Sequence, residues 1–201
     1  MPVSDNPADR KALRTLLRDR RKSLSPGDRL RAANGVAAQL FELPFMPSRG
    51  YVAGYWAMDG ELALHAFQLS LPPDVVYCLP VLHDNNELRF APFRPGDAIT
   101  HNRFGIPEPT YESLLSPQDM SLVIMPLVGF AADGQRLGMG GGWYDRSFAF
   151  RSHGKAPPWL VGVGYDEQEF SASALTPQPW DVMPDAICTP TSRLSQLTEH
   201  A

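Results

Sequence analysis

Cysteine is nearly absent, with Cys78 and Cys188 the only two in 201 residues. That scarcity excludes a disulfide scaffold and a Cys-rich zinc site, and it fits a reducing compartment, the cytoplasm. No apolar run approaches the roughly 18 residues that span a bilayer, so no membrane partner is expected. Nothing resembling a secretory signal opens the chain: Met1 to Arg10 holds no apolar stretch. Positive charge is not in excess. Eighteen Lys and Arg against 22 Asp and Glu leave a net charge of −4, and no global field draws the chain to nucleic acid. His65, His83, His101, His153 and His200 share no i, i+4 spacing, which leaves no histidine metal motif. The nucleophile elbow G-x-S-x-G is missing, so serine-hydrolase chemistry has no support.

What the chain does have is 20 prolines and 16 glycines, with 43% hydrophobic and 20% charged residues. Many short elements joined by shaped loops are expected, not a helix bundle. Asn6-Pro7 reads as an N-cap and first helical position. The helix it opens carries Leu13, Leu16, Leu17 and Leu24 on one face and Lys11, Arg14, Arg18 and Arg21 on another. Seven of the 18 Lys and Arg lie within residues 10–22. Ser25-Pro26 caps a second helix with the stripe Leu30, Ala33, Ala37, Leu40 and Phe41, which Pro44 and Pro47 stop. Strands are expected at Tyr51–Ala57, Val75–Val81, Leu88–Phe93, Ser121–Phe130, Trp159–Tyr165 and Ala186–Thr189. Between the first two, Glu61–Leu71 reads as a helix, and Pro95–Pro117 reads as loop. Ser121–Phe130 is nearly all apolar, as a central strand covered on both faces should be. Strands alternating with helices predict an α/β domain with a largely parallel sheet. With no repeat and no long linker, one domain is expected over residues 1–201.

Chemistry concentrates in Arg136–Arg146, RLGMGGGWYDR. Gly138, Gly140, Gly141 and Gly142 remove side chains where backbone must approach a ligand or take positive φ. A strand, a glycine loop and a helix start in succession can point free N–H groups at a phosphate. Asp145 follows within the first turn, where it could hold a divalent cation bridging phosphate oxygens. Neither known template fits. A Walker loop would need Gly-Lys-Ser/Thr where Gly142-Trp143-Tyr144 stands, and G-x-G-x-x-G from Gly138 meets Trp143 in place of its last glycine. Taken alone, the loop could equally be structural.

Arg136–Arg146 resembles the nucleotide-binding signature of the 5-formyltetrahydrofolate cyclo-ligase family, approximately R-L-G-x-G-x-G-Y-Y-D-R. The likeness extends along most of the chain. Arg10-Lys11-Ala12-Leu13-Arg14 resembles the family's K-R-x-L-R segment, and Tyr55–Leu62 its strand and acidic turn ending at Glu61. Gly105–Pro109 resembles G-I-x-E-P, and Asp181 to Asp185 the terminal D-x-x-x-D. The resemblance implies a three-layer α/β/α fold of the NagB/RpiA/CoA transferase-like type. It also implies a ligase that uses ATP and Mg²⁺ to convert 5-formyltetrahydrofolate to 5,10-methenyltetrahydrofolate, working as a monomer. Carried over by residue, Arg10, Lys11 and Arg14 would meet the ATP phosphates. So would the backbone of Arg136, Leu137, Gly138, Met139, Gly140, Gly141, Gly142, Trp143 and Tyr144. Arg136 and Tyr144 would act in catalysis, and Asp145 and Asp181 would hold Mg²⁺. Trp56 and Glu61 would face the folate, with Met139 to Trp143 lining it from the other side.

Three departures stand out. The first basic pair is inverted as Arg10-Lys11, so either residue could reach the phosphates. Trp143 replaces the first tyrosine of the triplet, and Gly141 stands where some members carry lysine. Two other readings are weighed beside the ligase: a paralogue using ATP on another formylated or pterin-like amine, and a non-catalytic module binding anions or nucleic acid.

Overall fold

The structure is a computed structural model that describes residues 7–110, 113–152 and 154–195. Asn6, His153 and His200 therefore lie outside the described residues. The chain starts with two 16-residue helices, α1 (Pro7–Lys22) and α2 (Pro26–Phe41). Ser25 caps α2 as its sequence suggests: its Oγ accepts from the Asp28 N–H at 3.2 Å, and the Asp28 carboxylate accepts from the Ser25 N–H at 3.3 Å.

The first strands and short helices follow in turn: β1 (Gly50–Ala53), α3 (His65–Leu69), β2 (Val75–Leu82), β3 (Leu88–Pro92), β4 (Ile99–His101) and β5 (Pro107–Pro109). The second half adds β6 (Leu122–Pro126), β7 (Gly129–Phe130), β8 (Arg136–Leu137), α4 (Trp143–Ser147), β9 (Trp159–Val163), β10 (Ala186–Cys188) and β11 (Arg193–Ser195). Seven strands form one sheet in the order β11-β10-β9-β6-β1-β2-β3. The five inner strands are parallel, and β3 and β11 close the edges antiparallel.

Alternation along each strand sends neighbours to opposite faces. Val52, Leu122, Ile124, Val161 and Val163 point to one side, where Val36 and Leu40 of α2 and Phe67 of α3 cover them. Ala53, Cys78, Val123, Met125 and Leu160 point to the other, under Phe90, Phe148 and the α4 side chains Trp143 and Tyr144. The second covering layer is thin, because α4 is only five residues long. Cys78 and Cys188 lie on opposite faces, both free, and burial pushes each thiol up to about 12. They fill space.

Four sequence expectations need correction. Ser121–Phe130 is not one strand, since β6 ends at Pro126 and β7 leaves the sheet to pair with β8. A turn with Gly134 at φ +87° joins that hairpin. Both parts are buried, so hydrophobicity runs across the break unmarked. The expected helix over Glu61–Leu71 shrinks to His65–Leu69 because the Leu62 carbonyl accepts from the Tyr55 hydroxyl, and Leu62 and Leu64 enter the core ahead of the helix. Pro95–Pro117 contains the small β4–β5 hairpin, whose first strand is fully exposed and carries no periodic signal. Leu16 and Leu30, placed on apolar stripes, are 49% and 56% exposed.

Gly54, just past β1, is required by a close approach. A Cβ there would lie 2.0 Å from the Tyr77 hydroxyl oxygen, and both residues are buried. Gly54→Ala is expected to cost about 2–3 kcal/mol through overpacking. A thermal melt should show Tm lower by roughly 5–10 °C; an unchanged Tm would mean that Tyr77 moves freely.

Candidate active site

In an open parallel sheet, ligands collect beyond the carboxyl ends of the strands where the chain order reverses. Here β1 has β2 on one side and β6 on the other, so the switch lies between β1 and β6. A cavity of about 1110 Å³ opens there, lined by Tyr55 and Trp56 after β1, Leu82 of β2, and Pro126 of β6. That volume is somewhat above the range usual for one drug-sized ligand, about 300–1,000 Å³.

One wall is cationic and comes from α1. Arg10, Arg14 and Arg21 line the cavity, whereas Lys11 is exposed and outside its lining. At 3.6 residues per turn, Arg10, Arg14, Leu17 and Arg21 fall within about 60° of one another. The inward face of α1 is therefore mixed, with Leu17 fully buried against Val128 and Leu137 of the hairpin region. Arg14 Nε donates to the Gly138 carbonyl at 2.8 Å and so ties α1 to the glycine loop. Burial lowers the pKa of Arg14 below its ordinary value, as does the neighbouring Arg10 charge, while Asp181 opposes both.

The loop itself turns through left-handed backbone at Gly140 (φ +92°) and Gly142 (φ +65°), conformations that side chains resist. A Cβ at Gly140 would also meet the Arg14 guanidinium at 3.3 Å. The helix that follows is too short for a sizeable macrodipole. Positive potential at the loop must therefore come from guanidinium groups, not from α4.

Asp145, in the first turn of α4, pairs with Arg136 through its Oδ1, which also accepts from the Val182 N–H at 3.1 Å. Arg136 in turn donates to the Val182 carbonyl at 2.7 Å and is nearly buried. Asp181 accepts from the Gln178 N–H at 2.9 Å and lies 3.7 Å from Arg10. Asp185, the second acid of that segment, instead holds Arg151 at 2.8 Å and accepts from the Leu160 N–H at 2.7 Å. Asp145 and Asp181 both line the cavity. Two carboxylates suit Mg²⁺, which keeps several waters and takes phosphate oxygens as further ligands. Among the described residues no group of three or more His, Cys, Asp or Glu gathers as a complete protein cage.

The same cavity is lined by Trp56, edge-on to Phe93 at 5.7 Å, and by Tyr55, Met58 and Glu61. Met58 to Glu61 forms a tight turn with Asp59 at φ +50° and Gly60 at φ +78°, closed by the Glu61 N–H donating to the Met58 carbonyl at 2.8 Å. The Glu61 carboxylate accepts from the Met58 N–H at 3.0 Å. Burial raises its pKa, and Arg21 partly opposes that rise. Burial also pushes the Tyr144 phenol well up, helped by the Glu61 charge, so Tyr144 stays protonated at neutral pH and is a donor. Trp143 meets Phe104 of the β4–β5 tip edge-on at 6.3 Å, with Arg103 and Arg146 each 5.5 Å from its ring. Met139 lines the cavity and is half exposed.

Arg21, Tyr55, Phe104 and Glu108 also line the cavity, though the sequence reading did not place them in a site. Glu108 belongs to the Gly105–Pro109 element. Its buried carboxylate accepts from the Leu82 N–H and the Asn102 amide, both at 2.8 Å, and so pins the β4–β5 hairpin to β2. The spacing of Arg10, Arg14 and Arg21 was the one signal that could have found Arg21.

Asp59 gathers three cations. Lys22 and Arg18 each approach to 2.6 Å and Arg21 to 3.2 Å. Partial desolvation pushes its carboxyl up, but the hydrogen bonds from Lys22 and Arg18 prevail and hold it at about 2. A depressed carboxylate stabilises the fold above its unfolded pKa, and that contribution is lost as pH falls from roughly 4 toward the folded value. Urea titrations across this window should show wild type losing about 1 kcal/mol more than Asp59→Asn, the gap being limited by exposure. Parallel pH curves for the two proteins would contradict the assignment.

The 5-formyltetrahydrofolate cyclo-ligase family model matches residues 6–190. A 5-formyltetrahydrofolate cyclo-ligase of Escherichia coli (strain K12) is 34% identical over 181 residues, covering 87% of this chain and 97% of that protein. One from Haemophilus influenzae is 32% identical over 183 residues, covering 88% and 95%. Among solved structures, the 5,10-methenyltetrahydrofolate synthetase of Aquifex aeolicus superimposes with a TM-score of 0.77 at 28% identity, covering 95% of this chain and 97% of that one. Fold, glycine loop and sequence similarity agree along nearly the whole length: this chain belongs to the 5-formyltetrahydrofolate cyclo-ligase family.

Proposed function

We propose that the protein uses ATP to cyclise 5-formyltetrahydrofolate to 5,10-methenyltetrahydrofolate, releasing ADP and phosphate, and that residues 1–201 form one catalytic domain for this reaction. The observation that supports it is a single cavity lined by Arg10, Arg14 and the glycine loop together with Tyr55, Trp56 and Glu61. Two ligands of opposite character, a polyphosphate and a flat N–H-rich heterocycle, can meet in such a space.

The formyl oxygen on N5 attacks the γ-phosphorus and ADP departs. N10 then adds to the activated carbon and loses its proton, and phosphate leaves with the former formyl oxygen. An amide oxygen is a weak nucleophile, so most of the acceleration must come from alignment and charge neutralisation. Arg10 and Arg14, with the N–H groups of Arg136 to Tyr144, bind the phosphates. Lys11, turned to solvent, is not needed for that grip. Asp145 and Asp181 would hold Mg²⁺, which supplies charge neutralisation on the phosphate oxygens. Arg136 fixes Asp145, and protonated Tyr144 donates to an oxygen of the transferring group. Glu61 accepts from the pterin N–H edge, a bidentate pattern suited to a carboxylate. Trp56 and Trp143 offer stacking surfaces, and the β4–β5 tip limits water entry beside Trp143.

The nucleic-acid alternative loses ground because Arg10, Arg14 and Arg21 turn inward, not onto an open surface. The test is direct. Excess enzyme with ATP, Mg²⁺ and 5-formyltetrahydrofolate is expected to yield the methenyl product, followed by its near-ultraviolet absorbance, with one ADP per product. Absence of that product would reject the reading.

A further inference from the structure

Arg21 sits in the last turn of α1 and is fully buried. Its Nε donates to the Asp59 carbonyl at 3.1 Å and its NH2 nitrogen to the Asp59 carboxylate at 3.2 Å. Asp59 does not need this third cation, because Lys22 and Arg18 already hold it at 2.6 Å from the solvent side. The remaining nitrogen, NH1, is buried with no hydrogen-bond partner among the described residues. A buried guanidinium N–H without an acceptor is costly and calls for an explanation. Oε1 of Glu61 lies 3.8 Å from NH1.

That distance matters. At 3.8 Å the two charges attract strongly in a desolvated place, yet no hydrogen bond forms. Glu61 therefore keeps the lone pairs of Oε1 for the cavity, while its Oε2 is fixed by the Met58 N–H. A direct hydrogen bond from Arg21 would consume that acceptor capacity. No charge at all would let burial neutralise the carboxyl.

We propose that Arg21 is a positioning residue, anchored on Asp59, that holds Glu61 ionised and aimed into the cavity without occupying its acceptor atom. The proposal rests on the folate reading above and deepens it: it names what makes Glu61 competent to receive ligand N–H groups. Every charged or titratable group facing Glu61 enters the balance. Arg18 and Arg21 come from α1, Asp59 from the same turn, Tyr55 from the end of β1, Tyr144 from α4, and Tyr165 from beyond β9. Arg21 is the strongest of the charges favouring the carboxylate, and burial and Asp59 oppose it.

The experiment measures kcat and KM for both substrates from about pH 5 to 9 in wild type, Arg21→Met, Arg21→Lys, Glu61→Gln and Arg21→Met/Glu61→Gln. For Arg21→Met, the folate KM should rise about tenfold or more while the ATP KM stays within about twofold, and the acid limb of kcat/KM for folate should move up by about one pH unit. Arg21→Lys keeps the charge and should restore most of that limb. Arg21→Met should add nothing to the folate KM once Glu61 is glutamine. An acid limb that does not move, equal effects on both KM values, or additive effects in the double variant would overturn the positioning role. If Arg21→Met does not fold, Arg21→Gln, which also removes the charge, takes its place in the single and the double variant. Wild type that makes no methenyl product would refute the folate reading and this proposal with it; a wild type that turns over beside an additive double variant refutes only the role of Arg21.

Discussion

Asp145→Asn is expected to lower turnover by about 10²–10³-fold, the scale on which removing one group aimed at transition-state charge acts. The replacement is nearly isosteric, and the asparagine oxygen can still accept from the Val182 N–H that Oδ1 now takes at 3.1 Å. What disappears is one negative charge. Arg136 loses its ionic partner, and the phosphate end of the cavity loses one of the two carboxylates proposed for Mg²⁺. These consequences separate experimentally. Asp145 is partly exposed and Arg136 nearly buried, so some stability will be lost along with activity. Turnover must therefore be read well below Tm and over a range of Mg²⁺ concentrations. A shift of the Mg²⁺ requirement to higher concentration supports the metal role; turnover within about threefold of wild type at limiting Mg²⁺ would remove it.

Arg14→Ala is expected to raise the ATP KM by about 10–100-fold, since a charge-assisted hydrogen bond contributes roughly 1.5–3 kcal/mol and 1.4 kcal/mol is tenfold. Arg14 does two things at once. Its charge stands in a desolvated wall beside Arg10, and its Nε secures the Gly138 carbonyl, so its loss also frees the start of the glycine loop. Arg14→Lys separates the two, because lysine keeps a charge but lacks the planar fork that reaches a carbonyl and a phosphate together. An unchanged ATP KM in Arg14→Ala would count against the α1 face as a phosphate clamp. The folate KM should move little in either variant, as Trp56 and Glu61, not Arg14, are the residues proposed to hold the folate.

The elements most legible in the sequence were those whose signal is local. Ser25 forms the expected cap because a hydroxyl beside a helix start has few better partners. The glycine loop was marked by composition, and two of its glycines do adopt left-handed backbone. The parallel sheet followed from strands alternating with helices. Misreadings arose where burial hid a break, as at Pro126, or where a three-residue strand such as β4 was too short for any period to register. On α1 the periodic reading grouped the cations as Lys11, Arg14, Arg18 and Arg21. The helix in fact divides them: Arg10, Arg14 and Arg21 face inward, while Arg18 and Lys22 bind Asp59 from outside.

By itself, then, the sequence determined most of the element types and the motif that names the family, because each is written in neighbours a few positions apart. Tertiary structure alone decided which cation belongs to which carboxylate. Arg136 meets Asp145, Arg10 approaches Asp181 and Arg21 reaches Asp59 and Glu61, over separations that no periodicity spans. Charge interactions depend on distance and on how much water lies between, and both are set only when the strands align and the helices close over their ends.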